Sequence, residues 1–271
     1  MESSISKLVK ISNFYGINPE YVIAGGGNTS FKNEKHLWIK ASGTSLATIT
    51  ENGFVKMDRA CLQKISKNTY SEDPLKRESE IKLELHNCIA EDTGLRPSVE
   101  TSLHNLINNA YVVHTHPTWV NSLMCARNSS EETARLFGKE ALVIEYTDPG
   151  YILFKRVEKK IAEYVSEFGK DPVIIFLENH GVFVSADTIG EIKSVYQKID
   201  KQIKSRINYY IPSTNPLDSN LKEQTEALAK IKNLKTKAFN CEMIQHFVKD
   251  EDAFKQVGIA FSPDNIESFH S

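Results

Sequence analysis

Apolar positions recur at helical spacing between Ser4 and Tyr15, where Ile5, Leu8, Val9 and Ser12 share a face and Gly16 supplies a stop. After a glycine cluster at 25–27, two strands are expected, Leu37 to Ser42 and Gly53 to Met57, with Ser42-Gly43-Thr44 as a turn. Glu78 to Asp92 reads as a helix with Ile81, Leu85 and Ile89 on one face and Gly94 at its end. A second helix is expected from Ser98, where Leu103, Leu106 and Ile107 form an apolar stripe. Tyr111 to Thr115 is β-branched and aromatic and reads as a strand, as does Ala141 to Tyr146. A short helix at Thr133 to Phe137 separates them, and Lys155 to Phe168 is amphipathic and closed by Gly169. Val173 to Leu177 and Val182 to Ser185 flank Glu178-Asn179-His180-Gly181 as strand, tight turn and strand. Thr188 and Glu191 fit a capping box that opens a long helix to about Tyr210.

Irregular alternation of helices and strands places the chain in the layered α/β or α+β class. Pro212 to Ser219 is rich in Pro, Ser and Asn and reads as a linker. The expected organisation is therefore a main domain over 1–211 and a helical extension over 212–271 packed on the same domain, with a polar helix at Leu221 to Lys232.

Charge and cysteine usage narrow the function classes. Lys plus Arg is 33 and Asp plus Glu is 35 in 271 residues, a net charge of −2. That balance excludes a strongly basic nucleic-acid footprint and a polybasic membrane anchor. The apolar run Val173 to Leu177 is far too short to span a bilayer, and the first ten residues lack the apolar core of a signal peptide. None of the four cysteines lies in a CxxC pair, so neither a disulfide framework nor a thiolate zinc site is expected. A reduced, cytoplasmic compartment follows as the expectation.

The stretch Tyr111-Val112-Val113-His114-Thr115-His116-Pro117 carries the clearest chemistry. Strand alternation points His114 and His116 the same way, Cα atoms ~6.5–7 Å apart, so both imidazoles can reach one divalent ion. A pair of solvated or core histidines fits the same spacing. His180, beside Gly181 between two apolar strands, is placed at a sheet rim and would complete the three-nitrogen set of a catalytic zinc site. Glu100 and His104 are four apart on the helix before the His114 strand, and the short link Asn108 to Ala110 folds Glu100 back toward the imidazoles. His36, His86, His246 and His270 lack such context and read as structural or solvated. Gly25-Gly26-Gly27-Asn28-Thr29-Ser30 offers N–H groups and small hydroxyls for an anion nest, with Lys40 and Ser42-Gly43-Thr44 able to add donors; an ordinary glycine turn is the alternative. Neither the P-loop spacing nor GxGxxG is present.

The ordered motifs GGGNTS, SGT, PSVETSLH, VVHTHP and ENHG resemble the class II aldolase/adducin family, the fuculose-phosphate aldolase fold. The likeness spans Gly25 to about Tyr196. It is closer to the aldolase half of fused rhamnulose-phosphate aldolase/lactaldehyde dehydrogenase proteins, with Ser262-Pro263-Asp264 as a late match and no dehydrogenase half expected. The resemblance implies a layered α/β/α fold with a central, mainly antiparallel sheet. It implies that His114, His116 and His180 bind Zn2+ or another divalent ion, and that Glu100 is both a metal ligand and the catalytic acid/base. Asn28 and Ser98 match substrate- and phosphate-contacting positions, and Ser42 and Gly43 match a phosphate-touching Thr-Gly pair. Tyr146 falls where the family carries a proton donor supplied across a subunit boundary, which implies a homo-oligomer, a tetramer. Val99 stands where fuculose-type enzymes place a second Ser, and Glu100 in place of Asp argues against the 4-epimerase branch.

The implied activity is cleavage of a phosphorylated ketose, of the rhamnulose- or fuculose-phosphate type, to dihydroxyacetone phosphate and an aldehyde. Its partner is thus a small phosphorylated sugar, with no nucleic acid and no membrane. Two alternatives remain: a decarboxylase of a 3-oxo sugar-acid phosphate, using the same enolate stabilisation, and a non-catalytic adducin-like module, against which the intact histidines argue.

Overall fold

The computed structural model describes residues 2–23 and 26–206. Gly25, the end of the long helix at Tyr210, the linker, the extension over 212–271 and the Ser262-Pro263-Asp264 motif lie outside the described residues. In chain order the elements are α1 (Ser4–Gly16), β1 (Asn28–Lys32), β2 (His36–Lys40), β3 (Phe54–Asp58), α2 (Arg59–Ile65), α3 (Pro74–Asn87) and α4 (Thr101–Leu106). They continue with β4 (Tyr111–Thr115), α5 (Thr118–Met124), α6 (Ser129–Phe137), β5 (Ala141–Ile144), α7 (Tyr151–Phe168), β6 (Ile174–Leu177), β7 (Gly181–Ala186) and α8 (Ile189–Lys204). The strands form one seven-stranded sheet in the order β3-β2-β1-β4-β7-β6-β5. Five of its six pairings are antiparallel, and β5 with β6 is parallel.

Strand alternation sorts the core into two faces. Tyr111, Val113, Ile174, Phe176, Val182 and Val184 pack toward α1, α5, α6 and α8. Val112, Ile175, Leu177 and Phe183 pack toward α4 and α7, and Leu37, Ile39, Val55 and Met57 toward α2 and α3. This is the layered α/β/α arrangement with a mainly antiparallel sheet. On α8 the spacing of Ile192, Tyr196, Ile199 and Ile203 presents one buried stripe, each side chain contributing ~1.5–3 kcal/mol of burial. The Thr188–Glu191 capping box opens that helix with both reciprocal bonds made.

Several local expectations are corrected. The α3 helix starts at Pro74, capped by Asp73, and stops at Asn87, so Gly94 does not end it. Ile89 leaves the helical stripe to pair with Met57 on β3, and the Ala90 N–H donates to Lys56 O at 2.8 Å. Asn28 to Ser30 belong to the central strand β1, where a glycine-led loop is expected. Cys61 on α2 and Cys88 at the C-cap of α3 form a disulfide, contrary to the expectation of none. Cysteine usage therefore no longer argues for a reduced compartment. No helix among the described residues is long and apolar enough to cross a membrane.

Candidate metal and substrate site

His114 lies on the sheet face covered by α4 and α7, because it shares the parity of Val112. Its cross-strand neighbours are Asn28 on β1 and Phe183 on β7. Directly opposed residues project from the same face. Phe183 accordingly stacks on the His114 ring, centroids 4.1 Å apart at 18°. The Nδ1–H of His114 donates to Val182 O at 3.1 Å, which leaves Nε2 unprotonated and free to bind a metal.

The other two imidazoles arrive from two turns. His116 follows β4, its N–H held by Tyr21 O at 3.1 Å. His180 sits in the turn between β6 and β7, where Asn179 takes a left-handed φ of 56°. Asn is among the few non-glycine residues that adopt this conformation readily. Gly181 leaves the room the ring bundle needs: a Cβ there would stand 2.6 Å from Thr115 O and 2.7 Å from His116 Cδ2.

The His114 Nε2 lies 2.9 Å from His116 Nε2 and 3.3 Å from His180 Nε2. A tetrahedral ion with bonds of about 2.0–2.1 Å separates its ligand atoms by about 3.3–3.4 Å, so the three nitrogens fit one ion. The three histidines form a metal-competent cluster. Burial first, then His116 and His180, holds the His114 pKa well below the ordinary imidazole value. Burial, then His180, pushes His116 down to about 4 against the opposing pull of Glu100. Neutral imidazoles with open lone pairs are the form a metal requires.

Glu100 is the N-cap residue of α4, on the same face. Its Oε1 stands 3.3 Å from His114 Nε2 and 3.9 Å from His180 Nε2. Asn28 Nδ2 donates to Glu100 Oε2 at 2.9 Å and also to Ser98 Oγ, which in turn accepts from the Glu100 N–H at 3.2 Å. Both amide protons of Asn28 are thus engaged in holding Glu100. The structure brings together His114, His116, His180, Glu100, Asn28 and Ser98. Ser42 and Gly43 form an exposed turn, Gly43 at a φ of 81°, with the Ser42 N–H donating to Arg96 O at 2.9 Å. Tyr146 is 59% exposed, and its hydroxyl donates to Asp148 Oδ1 at 3.2 Å.

Supporting groups carried weaker sequence signals. Lys40 is buried, and its ammonium donates to Thr44 O at 2.8 Å. Burial lowers its pKa, and Glu100 opposes that shift. His104, one turn after Glu100, is fully buried and paired through Nδ1 with Ser30 Oγ at 2.8 Å; burial pushes it down to about 3. Glu178 accepts from Ser129 Oγ, Ser130 Oγ and the Tyr146 N–H, tying the His180 turn to the Tyr146 segment. The Lys40–Thr44 contact is local, but the His104 and Glu178 contacts do not follow from local spacing, because their partners lie tens of residues away.

Comparison with known proteins agrees with this architecture. The chain is 26% identical over 223 residues to YuxG of Bacillus subtilis (strain 168), named an uncharacterized oxidoreductase, matching 78% of this chain and 31% of that protein. It thus spans about a third of that relative's length. It is 25% identical over 191 residues to the L-fuculose phosphate aldolase of Methanococcus maripaludis (strain C5 / ATCC BAA-1333), covering 69% of this chain and 87% of that one. Among solved structures, the N-terminal class II aldolase domain of a conserved protein from Thermoplasma acidophilum superposes with a TM-score of 0.64 at 26% identity, over 76% of this chain and 94% of that one. Residues 7–205 match the family described as Class II Aldolase and Adducin N-terminal domain, and the chain belongs to that family.

Proposed function

We propose that the chain is a zinc-dependent aldolase that cleaves a phosphorylated ketose of the rhamnulose- or fuculose-phosphate type to dihydroxyacetone phosphate and an aldehyde. The observation that carries this reading is the convergence of three imidazole Nε2 atoms and the Glu100 carboxylate on one point. A divalent ion bound there supplies Lewis-acid polarisation of a substrate carbonyl. Three borderline-soft nitrogens suit zinc and leave a position for substrate. Glu100 is placed to move the proton at the substrate hydroxyl and at the carbon released when the C–C bond breaks. Asn28 and Ser98 orient that carboxylate through the bonds described above. The test is metal analysis followed by a screen of phosphorylated ketoses and 3-oxo sugar acids. Bound zinc with aldehyde release supports the reading. Carbon dioxide release would move the chain to the decarboxylase alternative, and absence of any bound divalent ion in purified protein would favour a non-catalytic module.

Asn28→Ala is expected to lower turnover roughly 10- to 100-fold, the range for groups that orient a metal site or its ligands. Because both Asn28 donors face Ser98 and Glu100, the loss should be equal on a ketose phosphate and its unphosphorylated form. A loss confined to the phosphorylated substrate would instead assign Asn28 to the phosphate.

Tyr146 is read as the proton donor to the leaving aldehyde, supplied to the site of a neighbouring copy in a homotetramer. Its exposure, with the hydroxyl engaged in its own chain only by the neighbouring Asp148, supports that arrangement. Light scattering with a parallel assay checks it: activity should track the oligomer, and an active monomer would refute it.

A further inference from the structure

Between α2, α4 and α7 lies a cavity of about 210 Å³, with Arg59, Gln63, Ser102 and Asn105 on its polar side and Leu62, Leu106 and Phe154 on its apolar side. None of the three clustered imidazoles, Glu100 or Asn28 lines it. The α4 helix separates the two places. At 3.6 residues per turn, Glu100 and His104 lie on one side of α4, and Ser102 and Asn105, three apart, lie on the other. The first side carries the carboxylate to the imidazoles and bonds His104 to Ser30, and the second faces the cavity.

Buried polar groups in proteins are nearly always hydrogen-bonded. Ser102 and Asn105 are each only 8% exposed. Among the described residues, neither the Ser102 hydroxyl nor the Asn105 amide N–H groups have a partner, whereas Asn105 Oδ1 accepts from Arg59 Nε at 2.9 Å. Arg59 is held a second time by Asn33 O, which accepts from Nη1 at 2.8 Å. Two bonds thus fix the guanidinium, and the rest of its five N–H donors stay unused. A cation in open water needs no counter-charge, but Arg59 is partly buried, and burial lowers its pKa with no carboxylate opposing the shift. After burial, the Arg59 charge is also the next cause holding the Lys32 ammonium below its ordinary value. Glu158, the carboxylate in the lining, is paired with Lys155.

We propose that this cavity is a second ligand site, for a small hydroxycarboxylate whose carboxylate sits on Arg59 and whose hydroxyls sit on Ser102 and Asn105. The proposal goes beyond the aldolase reading and does not need the metal. A volume of about 210 Å³ is below the ~300–1,000 Å³ of common ligand pockets, which limits the occupant to a few carbons. The guanidinium fork matches a planar carboxylate. A single cation without a counter-charge in the lining suits one carboxylate better than a phosphomonoester, which carries about −1.5 to −2 at pH 7. Leu62, Leu106 and Phe154 give a carbon skeleton an apolar wall, for which an inorganic anion has no use. Ser102 and Asn105 belong to the helix whose N-cap is Glu100, so an occupant bridging α2 and α4 holds that helix from the side away from the imidazoles.

D-glycerate is the probe, titrated calorimetrically into the full chain while the Asn105 side-chain amide is followed by NMR. Glycerate should bind and shift the Asn105 resonances. Arg59→Gln should weaken that binding roughly tenfold or more, the size of one charge-assisted contact, and Arg59→Lys should recover part of the loss. Arg59 also ties Asn105 to Asn33, so thermal melting accompanies each titration. Gln63→Trp fills the space from its exposed rim, leaves the Arg59 bonds in place and should abolish binding. Glycerate can also meet a metal ion, but neither Arg59 nor Gln63 belongs to the imidazole cluster, so both variants read the cavity alone. Glycerol, which lacks the charge, and propionate, which lacks the hydroxyls, should bind more weakly, as should inorganic phosphate. No glycerate binding, no response at Asn105, or unchanged affinity in Gln63→Trp or in a folded Arg59→Gln would each overturn the proposal. So would glycerol, propionate or phosphate binding as tightly as glycerate.

Discussion

Replacing His114 with alanine is expected to abolish divalent-metal binding and to cut turnover by at least about a thousandfold. Metal polarisation of a carbonyl is worth several kcal/mol, and about 1.4 kcal/mol corresponds to each decade of rate. His114 is the proposed ligand held by the most contacts. Its Nδ1–H is fixed on Val182 O, its ring is stacked on Phe183, and its Nε2 approaches His116, His180 and Glu100. The same burial means the substitution also costs stability, since Val182 O loses its donor, a penalty of about 1–3 kcal/mol. His180→Ala separates the two effects. That side chain is 29% exposed at the rim of the turn, so the ligand is lost with little change to the core. Metal stoichiometry, thermal melting and turnover should be measured on both variants. A His180→Ala protein that keeps full metal content would remove His180 from the ligand set.

Glu100→Gln is expected to keep fold and metal while lowering kcat at least about 100-fold, the lower part of the range for a positioned acid/base. Glutamine preserves shape and can still accept the Asn28 N–H at one oxygen. It cannot take up and return a proton at neutral pH. The Glu100 carboxylate is largely enclosed, 18% exposed, so bulk water is poorly placed to replace it. The measurement is kcat at saturating substrate, with metal content confirmed in the same preparation. Turnover within about threefold of the parent would place the acid/base elsewhere.

Elements with strong apolar periodicity were readable from residue order. The α8 stripe, with its Thr188–Glu191 box, and the strand–turn–strand around Glu178-Asn179-His180 needed only local chemistry. By contrast, β1 is read as a glycine-led loop because Asn28-Thr29-Ser30-Phe31-Lys32 shows no apolar alternation. It nonetheless runs through the middle of the sheet, since its polar side chains find distant partners: Thr29 with Ser12, Ser30 with His104, and Lys32 with Asn109 O. Burial pushes Lys32 down to about 7, with Arg59 adding to the shift. The helix expected to reach Asp92 fails for a related reason. Ile89 fits the stripe by spacing, but the edge of β3 offers it a strand partner, and Cys88 is bonded to Cys61 from another helix.

The sequence alone determined which side chains can do chemistry: strand parity put His114 and His116 on one side, the Gly181 turn exposed His180, and helical spacing tied Glu100 to His104. Only the tertiary structure decided how they meet. The β1–β4 register sets Asn28 opposite His114, and the α4 N-cap lowers Glu100 onto the same face. These are pairings between residues far apart along the chain, fixed by sheet register and by buried polar groups that must find partners, and neither constraint leaves a mark in local residue order.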